Sequence, residues 1–145
     1  MERVLTVVLM AVAGGIIAIQ PALNGGLSKA TGSLPAAFVS FIVGVLALGL
    51  VVAVSGQLGR VGGALDVPWY YLLGGLCGAV WITASLIAVK SLGAGGVVAA
   101  TITGQLTGAM IADRLGILGL TEVPLTASKI GGACLLIVGT LLVVR

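Results

Sequence analysis

Residues 34–55 read LPAAFVSFIVGVLALGLVVAVS, 22 positions without a charge. A helix that crosses the roughly 30 Å hydrocarbon core of a bilayer needs about 20 mostly apolar residues, and this stretch has that length. In lipid no water satisfies the backbone, so a spanning segment must be a helix that bonds itself or a strand of a closed barrel. Working outward in both directions, four further runs of this kind appear: Val4–Leu23, Trp69–Val89, Gly96–Ala112 and Lys129–Val144, the last two short. Turn-rich segments at 24–33, 56–68, 90–95 and 113–126 separate them. Pro35, Pro68 and Pro124 sit at or before helix starts, where a missing N–H costs little. Pro21 lies near the end of the first run and is expected to kink or terminate it. The expectation is an all-α integral membrane protein, one domain over residues 1–145, with five transmembrane helices.

Composition agrees. Hydrophobic residues make up 59% of the 145-residue chain and charged residues 8%, with a mean hydropathy of +1.29. A soluble domain carries roughly a quarter charged residues, so this chain has too few to cover itself with water. The absence of His removes the usual general base and the commonest metal ligand. Cys77 and Cys134 lie in separate apolar runs and read as buried small hydrophobes rather than as a disulfide or metal pair. No nucleophile–base pair can be assembled, so no catalytic residue, cofactor or metal is expected. The basic residues are isolated at span ends, which excludes a nucleic-acid partner, since that needs a clustered basic face. Glu2 and Arg3 precede an apolar run reaching about Leu23, long for a signal peptide and read here as the first span.

All 11 charged residues fall outside the spans or at their ends. Arg3, Arg60, Arg114 and Lys129 lie on the side of the N-terminus; Lys29, Lys90 and Arg145 lie on the other. Insertion reads the Lys/Arg difference across the membrane to choose an orientation, and four against three gives it little to read. Transporters commonly build their pathway from inverted repeats, yet five spans cannot be halved and the chain has no internal repeat. An antiparallel homodimer of ten helices, with the lipid bilayer around it, supplies the missing symmetry; pairing with a sister protein is the other option.

Polar and small residues mark helix faces. Gly74 and Gly78, and again Gly104 and Gly108, form small-xxx-small pairs that let another helix approach closely. Trp81 and Ser85 continue the first of these faces, and Thr101 and Gln105 lie on the second. The four glycines read as helix-packing positions, whereas Trp81 and Gln105 stand equally open to packing and to binding a solute. These polar faces are expected to point inward. Gln20, Asn24 and Ser28 share a face only if the first helix runs on past Pro21, Gly25 and Gly26. A broken helix end there would instead expose carbonyls beside two amides, an arrangement suited to solute binding or simply to capping the helix end. No charge sits within a span, although buried charges mark most proton relays and ion-coupled sites.

The ordered set Gln20-Pro21-Ala22-Leu23-Asn24-Gly25-Gly26-Leu27, Gly74-Gly75-Leu76-Cys77-Gly78-Ala79, Leu92-Gly93-Ala94, Gly104-Gln105-Leu106 and Asp113-Arg114-Leu115-Gly116-Ile117-Leu118-Gly119 resembles the YdcZ-type family of small bacterial membrane proteins, within the drug/metabolite transporter superfamily. The resemblance covers nearly the whole chain. It implies a bacterial inner-membrane location, a transport-related role, and occurrence as dual-topology homodimers, paired genes or fused repeats. The related small multidrug resistance proteins use a first-span glutamate for proton-coupled export. This chain has Gln20 as the nearest polar residue, so that chemistry is not carried over. The expectation is a small-molecule transporter with a cavity lined by Gln20, Asn24, Trp81, Ser85, Thr101 and Gln105. A non-transporting accessory or lipid-interacting membrane module, or one half of a heterodimeric transporter, is the alternative.

Overall fold

The computed structural model describes residues 2–119 and 121–145 and, among them, contains helices and no strand. Five α-helices follow in order: α1 (Glu2–Ile17), α2 (Gln20–Thr31), α3 (Ser33–Val54), α4 (Leu73–Leu115) and α5 (Ala127–Val144). Short 3-10 turns at Leu58–Leu65 and Trp69–Leu72 join α3 to α4, and another at Ile117–Gly119 follows α4. By length and hydropathy the helical stretches Glu2–Thr31, Ser33–Val54, Trp69–Leu115 and Ala127–Val144 are each able to cross a membrane.

Pro21 acts as its position demands. Its ring would meet the carbonyl four residues earlier, that of Ile17, and α1 ends at Ile17. A new helix starts at Gln20 with Pro21 in its first turn, where the absent N–H is no loss. Beyond it the sequence suggests turns at 24–33, but α2 runs through Gly25 and Gly26 to Thr31. The two glycines cost helix propensity of about 1 kcal/mol each, and packing of α2 on α3 outweighs that cost. Gly32, with φ 88° and ψ 162°, then reverses the chain in a single residue before α3 begins.

The expected turn at 90–95 contracts to one residue as well. Forty-three residues of unbroken helix would extend about 65 Å, twice the hydrocarbon core. Within α4, Gly93 has φ 67° and ψ 172°, a region open essentially to glycine alone. It divides α4 into two span-length pieces, 73–92 and 94–115. Gly93→Ala is therefore expected to cost about 1–3 kcal/mol, read as a lower unfolding midpoint in detergent; an unchanged midpoint would remove the strained break from this account.

The chain forms two compact units, residues 19–91 and the residues up to Ala18 together with Leu92–Arg145. In the first, α2 and α3 form an antiparallel hairpin with Ser40 bonded to Asn24 across it. The 73–92 piece runs antiparallel to α3, with Gly78 facing Phe41 near one end and Lys90 Nζ donating to Ser33 Oγ (3.1 Å) at the other. Its core is small: Ala36, Ala37, Ile82 and Leu86, flanked by Leu27, Phe41 and Trp81. In the second unit the 94–115 piece and α5 run antiparallel, tied by hydroxyls. Thr140 Oγ1 donates to Ala99 O (3.0 Å) and lies 2.6 Å from Thr103 Oγ1. Interhelical bonds of this type contribute on the order of 1 kcal/mol each in lipid.

Buried apolar side chains among the described residues are limited to Pro21, Ala36, Ala37, Ile82, Leu86 and Val97. Most large apolar side chains elsewhere are exposed, as lipid tails permit, being as apolar as leucine. Cys77 and Cys134, expected to be buried, are exposed on the spans. The correction has a simple cause: a small hydrophobe in a membrane helix has no need of a protein interior, because the outer face is apolar too. Phe38 is likewise 67% exposed, whereas Phe41 packs on the core.

Candidate functional site

The 19–91 unit gathers four of the six expected cavity residues, Gln20, Asn24, Trp81 and Ser85; Thr101 and Gln105 belong to the other unit. Continuity of α2 puts Gln20, Asn24 and Ser28 on one stripe, since steps of four residues return to nearly the same angle. Pro21 beside them is fully buried.

Asn24 is 6% exposed. Its Oδ1 accepts a hydrogen bond from Ser40 Oγ, while its Nδ2 is buried with no partner. One helical turn away the buried Oε1 of Gln20 also lacks a partner. Exchanging the amide O and N of Asn24 would not change the count, because the Ser40 hydroxyl can donate or accept. A buried polar group left unpaired costs about 1–3 kcal/mol. The stripe thus carries two unpaired amide groups on residues one turn apart, about 6 Å in rise along the helix.

The neighbouring hydroxyls are spent locally. Ser28 Oγ donates to Gly25 O (2.9 Å) and Ser85 Oγ to Ile82 O (2.8 Å). Both residues are buried, and each oxygen keeps a lone pair able to accept. Trp81 lies half-buried against the small core, presenting a flat apolar wall. Ser40 was not among the residues expected at this site. Its signal was present, since it is the lone hydroxyl between Ser33 and Ser55 in an otherwise apolar helix.

In the second unit the corresponding face is open in the protomer. Gln105, Gly104 and Gly108 are exposed and Thr101 is half-buried. A Cβ added at Gly104 or Gly108 meets nothing within 4 Å among the described residues of its unit, and the same holds for Gly74 in the first unit. At Gly78 the added carbon would stand 3.3 Å from Phe41 Cζ. Gly78 is therefore a packing position inside the protomer, and the other three leave open surface. Overpacking costs about 1–3 kcal/mol, so Gly78→Leu is expected to lower protomer stability by that much in thermal unfolding. In monomeric protein Gly104→Leu should leave it unchanged; a comparable loss from Gly104→Leu under those conditions would contradict the open face.

Among the described residues no group of His, Cys, Asp and Glu is placed to hold a metal. The fold defines a multi-pass helical protein of the membrane, with buried hydrogen-bonding groups on a helical stretch able to cross it. A family model described as "Putative inner membrane exporter, YdcZ" matches residues 5–142. The chain belongs to that family, which makes it an inner-membrane protein of the transporter class. No curated protein and no solved structure matches it.

Proposed function

We propose that the protein exports a small polar molecule as an antiparallel homodimer operating by alternating access. The observation that carries this reading is the pair of buried, unpartnered amide atoms, Asn24 Nδ2 and Gln20 Oε1. A solute whose hydrogen-bonding groups reach both amides would satisfy them, and Trp81 would supply an apolar wall for the rest of it. With no charge in the spans, recognition rests on amides, hydroxyls and backbone dipoles, which favours neutral hydrogen-bonding solutes over ions.

The second copy is argued from two features. Four cationic anchors against three give insertion almost no preference, so both orientations are populated. The exposed face of Gly104, Gln105 and Gly108 then offers a close-approach surface and an amide that lipid cannot satisfy. An inverted partner would cover that face and bring Thr101 and Gln105 of each copy to a shared pathway. The test is solute flux into liposomes containing this protein alone, screened over neutral polar solutes, with empty liposomes as reference. Absence of flux for every solute tested, by a protein that is folded and dimeric, would favour an accessory or lipid-interacting role and end this reading.

A further inference from the structure

The end of the 19–91 unit that carries Lys29 and Lys90 has a second feature, separate from the amide stripe. Between α2 and the end of the 73–92 piece lies an open groove of about 540 Å³, lined by Gly25, Gly26, Ser28, Lys29, Val89 and Lys90 among others. Gly25 lets the two helices approach, since a Cβ there would already touch Val89 Cγ1 at 3.4 Å. At Gly26 an added Cβ meets nothing within 4 Å among the described residues of the unit, so the missing side chain is part of the groove's space. Lys90 Nζ donates to Ser33 Oγ at 3.1 Å, at the start of α3, which holds that side chain at this end of the unit and leaves two further protons to donate.

Within its own unit the charge of this groove has no carboxylate nearby. The unit's one carboxylate, Asp66, follows the far end of α3, and α3 spans 22 residues, about 33 Å. That exceeds the screening length in physiological salt, about 8 Å. Two lysines thus line a concave, partly apolar space near the ends of helices able to cross a membrane. Basic pockets between transmembrane helices are suited to anionic headgroups.

We infer that the groove binds a phosphate-bearing anion, either the headgroup of an acidic phospholipid or a free phosphate compound, through Lys29 and Lys90. This site is occupied whether or not the protein moves a solute. The test uses the full chain reconstituted in phosphatidylcholine with a minor fraction of phosphatidylglycerol, then exchanged into mild detergent, with retained lipid measured by mass spectrometry. The wild-type protein should retain phosphatidylglycerol over phosphatidylcholine. Lys29→Gln with Lys90→Gln should reduce retention about tenfold or more, given two cations at the headgroup level. Gly26→Leu fills the groove without altering charge and should produce a similar loss with an unfolding midpoint that is not lowered, since leucine favours the helix over glycine. Arg60→Gln, at the other end, should have no effect.

Inorganic phosphate separates the sources. If radiolabelled phosphate binds the wild type but not the lysine variant, and no lipid is retained, the ligand is a free anion. If lipid is retained and excess phosphate does not displace it, the headgroup is the ligand; displacement means the groove takes the group from either source. Equal retention by wild type and lysine variant with no phosphate binding overturns the site. So does a loss in the lysine variant that Gly26→Leu fails to reproduce, since that would be diffuse surface charge.

Discussion

Asn24→Leu is expected to abolish solute flux, at least tenfold below wild type, while thermal stability stays the same or rises. The two halves of that expectation come from one atom. Nδ2 of Asn24 is buried without a partner, and removing such a group recovers roughly 1–3 kcal/mol of desolvation cost. Against this stands the lost bond from Ser40, on the order of 1 kcal/mol in lipid. The Ser40 hydroxyl can turn back to a carbonyl of its own helix, as serines in membrane helices do. Leucine also suits the helix interior better than asparagine. A residue whose loss helps the fold and harms the activity is held for its chemistry. Ser40→Ala offers the contrast, because it strands Asn24 Oδ1 and should lower stability by about 1 kcal/mol. An Asn24→Leu protein that transports normally would take the amide out of the pathway; one that fails to fold would mean the amide is structural.

Opposed charge variants should give the second large effect. Glu2→Lys with Gln57→Lys raises the N-terminal side to six cations against three, while Arg3→Gln, Arg60→Gln and Arg114→Gln together leave one against three. Each set fixes a single orientation, because insertion follows the Lys/Arg difference. Expressed alone, either set should lose flux by about tenfold or more, since only parallel pairs can form. Expressed together they should recover activity toward the wild-type level, each supplying the orientation the other lacks. Cysteine labelling of loop positions in intact cells reports the orientations directly: mixed for wild type, uniform for each variant. Full activity of one variant set by itself would show that one orientation suffices, and the antiparallel dimer would fall.

Much of the fold was legible because lipid is an undemanding solvent for side chains and a strict one for the backbone. A run such as residues 34–55 has no alternative to a helix in the bilayer, and α3 follows it to within a residue at each end. Pro21 likewise announced the break after Ile17. The helical continuity of 24–31 was not legible. Gly25 and Gly26 argue against helix by propensity, and they are overruled by the packing of α2 on α3, which is a contact between elements. The length of the break in α4 was hidden in the same way, since nothing in the local composition says that Gly93 alone would absorb it.

For the site, residue types and spacing were enough to nominate Gln20 and Asn24, because amides at membrane depth are costly and stand out against an apolar background. Which of their atoms remain unpaired depends on Ser40, sixteen residues away in sequence from Asn24. The same holds for the glycines: four identical small-xxx-small positions, of which Gly78 alone is packed against an aromatic of its own protomer. Sequence by itself determined that this chain lives in the membrane, where its helices run and which side chains are polar there, since those are properties of single segments in a given solvent. Tertiary structure decided which polar atoms are paired, which glycines are filled and where Lys29 and Lys90 share a groove, because each of those is a distance between segments that no local pattern encodes.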